Sequence, residues 1–258
     1  MIFHFTFRHK FKAATALFCS VGVWPTILNA YATVRDPEVR CDTIEVISVQ
    51  LAMGEAQEYC HYAASERKKV EVFWGMTWTE VIQIHVDDAY KISRGLQTER
   101  GFIEMPIGRV REQRSALLHE IVHVYAPNTN RFLAEGLAVY LQATLGGNPA
   151  FPNFGKGLSA LARHNMSAVT SLESLNNVKT PRPLRSVMQE QSAYIIAGSF
   201  VGFLIEKYGI VMFRHLYDTG SYDTAYGKSL TSLESQWRAE VGNRSERSRF
   251  GHDNRALY

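Results

Sequence analysis

The chain lacks the short motifs that mark several large enzyme classes. It has no G-x-x-x-x-G-K-[ST] run, so no phosphate-cradling loop of that kind is encoded. It has no G-x-S-x-G elbow to lift a serine nucleophile. Its three cysteines, Cys19, Cys41 and Cys60, form no C-x-x-C pair, which removes the usual structural-zinc and redox patterns. No internal repeat, low-complexity run or long linker interrupts the 258 residues. An excess of one charge is also missing. The formal net charge is +3, and Arg8, Lys10 and Lys12 account for it. Without those three the chain carries 25 basic and 25 acidic residues, so nothing calls for nucleic acid or anionic lipid as a partner.

Those basic residues belong to a segment that reads as a signal peptide, residues 1–32. Arg8, His9, Lys10 and Lys12 form a basic n-region. Residues 13–28 are mostly apolar, but the run is short for a membrane span and contains Pro25. Ala30-Tyr31-Ala32 has the A-x-A form of a cleavage site, so the mature chain would begin at Thr33. Cys19 is preceded by Ala16-Leu17-Phe18, which is no lipobox. The other reading is an uncleaved anchor. The expectation is an exported protein, periplasmic or secreted, with no stable membrane span after cleavage. Its hydrophobic content of 46% is enough for a core and excludes wholesale disorder.

The informative stretch is SALLHEIVHVYAPNTNRFLAEGLAVY, residues 115–140. It holds His119, Glu120 and His123 in the order H-E-x-x-H. Histidines four apart lie on one helix face, with roughly 5–6 Å between Cβ atoms. Both imidazoles can then reach one zinc ion at about 2.0–2.1 Å. Glu120 is placed to act as general base on an activated water. Pro127 ends the helix near Tyr125 or Ala126. A metzincin would carry Gly and His where Ala126 and Thr129 stand, so that pattern fails. Pro127-Asn128-Thr129-Asn130 instead reads as a turn with an N-cap, followed by a helix over 131–145 that Gly146-Gly147 stops. In such a hairpin Glu135 faces His123 and can complete a His-His-Glu site for zinc. Its blander reading is a solvated acid in a first helical turn. That of the histidines is two ordinary residues on a half-buried face.

HEIVH followed by FLAEGLAVYLQ resembles the gluzincin peptidases, in particular the peptidase-MA-like families. QSAYIIAGSFVGFLIEKYG and AYGKSLTSLESQWRAEV resemble their later segments, and the similarity covers roughly residues 42–242. The resemblance implies an α+β, zincin-like fold. A small N-terminal β-sheet/helix lobe would face a mostly helical C-terminal lobe, with the zinc site between them. It also implies a zinc-dependent peptidase acting on a peptide or protein substrate, with residues 33–242 as its catalytic domain. Residues 243–258, polar and arginine-rich, read as a polar, frayed tail. Tyr194 stands at the position where such enzymes use a tyrosine to donate to the tetrahedral oxyanion; otherwise it is a helix tyrosine with a buried ring. In these folds the strand before the zinc helix commonly forms an edge that pairs with extended substrate. Gly101, Phe102 and Ile103 are the residues expected there. The aminopeptidase G-A-M-E-N motif is absent, so no aminopeptidase specificity is implied.

The rest of the chain is read by periodicity. Strands are expected over 43–49, 79–86 and 101–107, and a helix over 51–74 with Ala56, Tyr59, Cys60, Ala63, Val70 and Phe73 inward. Cys41 and Cys60 would form a disulfide in an exported protein, or remain two buried thiols. Asp87-Asp88 read as a solvated turn without a calcium-loop signature. Residues 146–166 are turn-rich and then helical, lining a cleft or packing on themselves, and His164 is a lone histidine outside any pairing pattern. Helices are expected over 192–208, 210–218 and 231–241. The function that follows is metal-assisted peptide hydrolysis. The alternative is a non-enzymatic domain of the same fold that binds an envelope partner, with zinc structural. A self-processing or narrowly regulatory peptidase is a third reading. The sequence leaves the oligomeric state open.

Overall fold

Short alternating runs of β-branched and aromatic residues, interrupted by one long helical stretch, precede residue 107, and helix formers dominate after it. The computed structural model describes residues 38–77, 79–95, 101–180 and 182–250, with side chains through 243. The signal-peptide segment, 1–32, and the end of the expected tail, 251–258, lie outside the described residues.

β1 (Glu38–Cys41) and β2 (Ile44–Ile47) form an antiparallel hairpin, turned at Asp42 with φ of 58°. The strand expected over 43–49 is the second arm of this hairpin. β3 (Ile82–Asp87) and β5 (Phe102–Pro106) run parallel to β2, and β4 (Arg94–Gly95) returns antiparallel, giving the order β1-β2-β3-β5-β4. In β3 the residues Ile82, Ile84 and Val86 are buried while Gln83 is exposed, the alternation a half-covered strand requires. Asp87 accepts a hydrogen bond from the backbone of Ala89 at 2.7 Å, closing the expected turn.

This topology corrects the expected substrate edge at Ile103. Of Gly101, Phe102 and Ile103, Ile103 does not lie on the sheet's edge. Ile103 pairs with Gly95 and Glu104 with Arg94, so β4 stands outside β5. Phe102 and Ile103 also pair inward with Gln83 and Ile84 of β3. A two-residue strand is too short for a periodic signal, so the sequence hides the strand that takes the edge.

α1 (Met53–Trp74) makes the crossover between the parallel strands β2 and β3. Ala56, Tyr59, Cys60, Ala63 and Val70 are buried as expected, and Phe73 is half-buried. Cys60 is bonded to Cys41 at the end of β1, with the Cα atoms 5.8 Å apart. The same helix also buries Glu66, Arg67 and Glu71. Arg67 pairs with Glu71 at 3.0 Å and with Asp42, and the Tyr125 hydroxyl donates to Glu71 at 3.1 Å.

The helical part comprises α2 (Ile107–Arg111), α3 (Leu117–Tyr125), α4 (Arg131–Thr144), α5 (Leu158–Asn165), α6 (Glu173–Asn176), α7 (Glu190–Tyr208), α8 (Ile210–Thr219), α9 (Tyr222–Tyr226) and α10 (Leu230–Phe250). The architecture is mixed α+β, a small N-terminal sheet followed by a mostly helical remainder. α10 continues to Phe250, so the first half of the segment expected as a frayed tail is helical. Among the described residues no helix is long and apolar enough to cross a membrane. Leu216, Leu233 and Trp237 are fully buried, and the Trp237 indole donates to Ser199 at 3.1 Å. α4 and α7 meet through glycine: a Cβ on Gly136 would stand 2.8 Å from the Ala197 carbonyl, and one on Gly198 2.4 Å from Val139 Cγ1.

Candidate active site

α3 is buried at all nine positions, including His119, Glu120 and His123. Three groups hold its carboxyl-terminal side. The Tyr217 hydroxyl of α8 donates to the Ala126 carbonyl at 2.6 Å, and Asn128 donates to the Tyr217 carbonyl at 2.7 Å. Asn130 caps α4, its Oδ1 accepting from the backbone of Phe132 at 3.1 Å and Leu133 at 3.3 Å. The hairpin so fixed brings Glu135, in the second turn of α4, against the two histidines.

The Nε2 atoms of His119 and His123 lie 3.1 Å apart, and Glu135 Oε2 lies 3.1 Å from the first and 3.4 Å from the second. A tetrahedral ion with bonds of about 2.0–2.1 Å holds its ligand atoms about 3.3–3.4 Å apart. The triangle fits that spacing. Three atoms that can each offer a lone pair converge in a buried space, and Glu135 Oε2 has no hydrogen-bond donor there. Such a cluster is repulsive without a cation or a shared proton. The residues therefore fit a metal of zinc's size and ligand taste.

Glu120 competes for the same space, since ligand atoms of His119, Glu120 and His123 all lie within 4.8 Å of one another. Two observations favour Glu135 as the third ligand. Its oxygen sits closer to both imidazoles, and Glu120 Oε2 is already engaged, accepting from the Gly95 backbone at 2.5 Å. Burial pushes the Glu120 carboxyl above the usual glutamate range, and Glu135 adds to this against the opposing pull of His119. Burial pushes Glu135 up too, but His123 and His119 together hold it well below that range. The two carboxylates are thus tuned in opposite directions.

Tyr194 lies beside this cluster. Its ring stacks on His119 with centroids 6.3 Å apart and meets Phe151 edge-on at 5.7 Å. Burial, followed by the charge of Glu135, raises its hydroxyl pKa, so it stays a protonated donor. Tyr194, His119, Glu120 and Phe151 line one cleft of about 250 Å³. Of residues 146–166, Phe151 therefore does reach the cleft. His164 is exposed on α5 and belongs to no ligand cluster.

Two partners were not read from the sequence. Arg131 binds Glu135 Oε1, leaving Oε2 for the histidines. Its position four residues before Glu135 is a helical pairing distance, which was the available signal. Gly95 contacts Glu120 through its backbone, and a Cβ there would stand 2.9 Å from the Glu120 carbonyl. No local pattern announces that contact.

No protein-family model matches the chain, and no curated protein does. Solved structures of similar shape are M1 zinc metallopeptidases. One is a mutant bound to a Tyr-Ser-Ala substrate, from Deinococcus radiodurans: 18% identity, TM-score 0.47, 78% of this chain and 50% of that one. Another mutant from the same organism gives 17%, 0.45 and the same coverage, and a third structure, without a stated mutation, 19% and 0.43. The chain spans about half the length of these structures.

Proposed function

We propose that the chain is an exported zinc metallopeptidase that hydrolyses peptide bonds. The observation that carries this is the triangle of His119, His123 and Glu135 ligand atoms, with Glu120 beside it and engaged elsewhere. Zinc held by those three residues would supply Lewis acidity, polarising a scissile carbonyl and acidifying water. Glu120 takes the proton of the attacking water and passes it to the leaving amine. Its raised pKa suits both halves of that task, and the Gly95 backbone holds its carboxylate in place. Tyr194 remains protonated in the cleft and donates to the oxygen on which negative charge develops. Arg131 fixes the rotation of Glu135.

Export is part of the proposal. The Cys41–Cys60 bridge suits an oxidising compartment and agrees with the signal-peptide reading of residues 1–32. Amino-terminal sequencing of the secreted chain is expected to begin at Thr33.

The test pairs metal content with turnover. Purified 33–258 is expected to hold about one zinc per chain and to cleave members of a peptide library. Glu120→Gln should keep the zinc and the Tm while losing hydrolysis by two or more orders of magnitude, as removal of a general base does (about 10²–10⁴-fold). A folded wild-type chain that stays empty when offered zinc sinks the proposal. A loaded chain whose partner-binding phenotype survives Glu120→Gln, with no peptide cleaved, turns it into a binding domain with structural zinc.

A further inference from the structure

The cleft beside the candidate zinc site carries a charge asymmetry that the hydrolytic machinery does not use. Lys91, Arg109 and Arg114 line it together with His119, Glu120 and Tyr194, and Glu190 is its one other acidic side chain. That gathering stands out in a chain whose residues 33–258 balance 25 basic against 25 acidic groups.

Several cations elsewhere are paired with carboxylates. Arg67 is paired with Asp42 and Glu71, Lys69 with Glu66 at 2.5 Å, Arg111 with Glu55 at 3.0 Å and Arg238 with Glu234 at 2.7 Å. The cleft cations are paired loosely or not at all. The Arg109 side chain has no ion pair or hydrogen bond among the described residues. Arg114 reaches only Glu112, at 3.9 Å, and lies over the Phe154 ring. Lys91 donates to the Asp88 carbonyl and to no carboxylate. Glu190, the opposing acid, is drawn to Arg185 at 3.7 Å.

Resting on the peptidase reading of this site, we infer that the cleft selects peptides presenting a carboxylate next to the bond held at Glu120, with Arg109 and Arg114 as its specificity-determining residues. Guanidinium groups bind carboxylates in a fork, which fixes orientation as well as charge. Clustered cations also draw an acidic ligand in by long-range attraction, which salt weakens. The carboxylate can belong to an Asp or Glu side chain or to the free carboxyl terminus of the substrate.

The test measures binding to the zinc-loaded Glu120→Gln chain, so that it does not depend on turnover. Three amidated peptides of equal length, carrying acidic, neutral or basic residues, are compared with a neutral peptide whose carboxyl terminus is free. The acidic or the free-carboxyl peptide is expected to bind about tenfold more tightly than the basic one, the scale of a few exposed ion pairs acting together. Which of the two it is identifies the source of the carboxylate. Arg109→Glu with Arg114→Glu should reverse the order, and raising salt should shrink the preference of the unreversed chain even if the reversed one folds poorly. Equal binding of all four peptides, or none, overturns the inference, as does a preference unmoved by charge reversal in a folded variant. Tight binding of carboxylate peptides with no cleavage by the zinc-loaded wild type leaves the inference standing and sinks the peptidase reading instead.

Discussion

Arg131 shows how much a single side chain can settle. A carboxylate can meet a metal through either oxygen or both. Arg131 occupies Glu135 Oε1, so only Oε2 faces His119 and His123. Groups that orient ligands in this way typically contribute 10–100-fold to metal affinity. Arg131→Ala is therefore expected to weaken zinc binding about 10–100-fold in a chelator competition, while Glu135→Ala weakens it further. An Arg131→Ala chain with wild-type affinity would show that packing alone orients Glu135. The convergence of His119, His123 and Glu135, the proposed ligands, was legible in the sequence because they sit within one helix hairpin, where spacing becomes geometry. Gly95 was not, because its contact with Glu120 joins residues 25 apart through a two-residue strand. The buried charges Glu66, Arg67 and Glu71 escaped for a related reason. On a helix they read as a solvated face, and their partners lie far off in sequence: Asp42 for Arg67, Tyr125 for Glu71 and the Gly147 backbone for Glu66.

At the scale of elements, the site depends on how closely α7 approaches α4. Gly136 follows Glu135 directly, and its missing Cβ is what lets the Ala197 carbonyl and Val201 come near. In an unobstructed helix Gly→Ala gains about 0.5–1 kcal/mol. At Gly136 the added methyl would lie 2.5 Å from Val201 Cγ2 and 2.8 Å from backbone, and such overpacking costs about 1–3 kcal/mol. The clash outweighs the propensity, so Gly136→Ala should lose about 1 kcal/mol or more in a urea titration. Gly108 in α2 has nothing within 4 Å of a built Cβ, and Gly108→Ala should be neutral or slightly stabilising. If both changes stabilise alike, the helices have room to separate and the glycine contact does not set their spacing. The helix order was readable from periodicity and caps, and the intimacy of α4 with α7 was not, since a glycine announces no partner. At Ile103 the edge of the sheet was misread because β4 lies below the length at which alternation can be seen.

Across the whole molecule, the sheet and the helical part are joined at α1 by two kinds of bond. Cys41–Cys60 ties β1 to the first half of the helix. Further along, Arg67 and Glu71 tie it to Asp42 and, through the Tyr125 hydroxyl, to the end of α3. Only the second link touches the helix that carries His119 and His123. The disulfide closes a loop of 19 residues, and a loop near that length contributes about 3 kcal/mol by restricting the unfolded chain. The paired variant Cys41→Ala with Cys60→Ala should therefore lose about 2–4 kcal/mol of stability. Its zinc stoichiometry should stay that of the wild type, because α3 keeps its own tie to α1. Glu71→Ala should behave in the opposite sense. It leaves Arg67 short of one partner in a buried position and frees Tyr125, so zinc affinity should fall along with stability. Chemical unfolding and zinc titration of the two variants side by side separate these effects. Loss of zinc on removing the disulfide alone would mean that the sheet, acting through the whole of α1, holds the histidines in place.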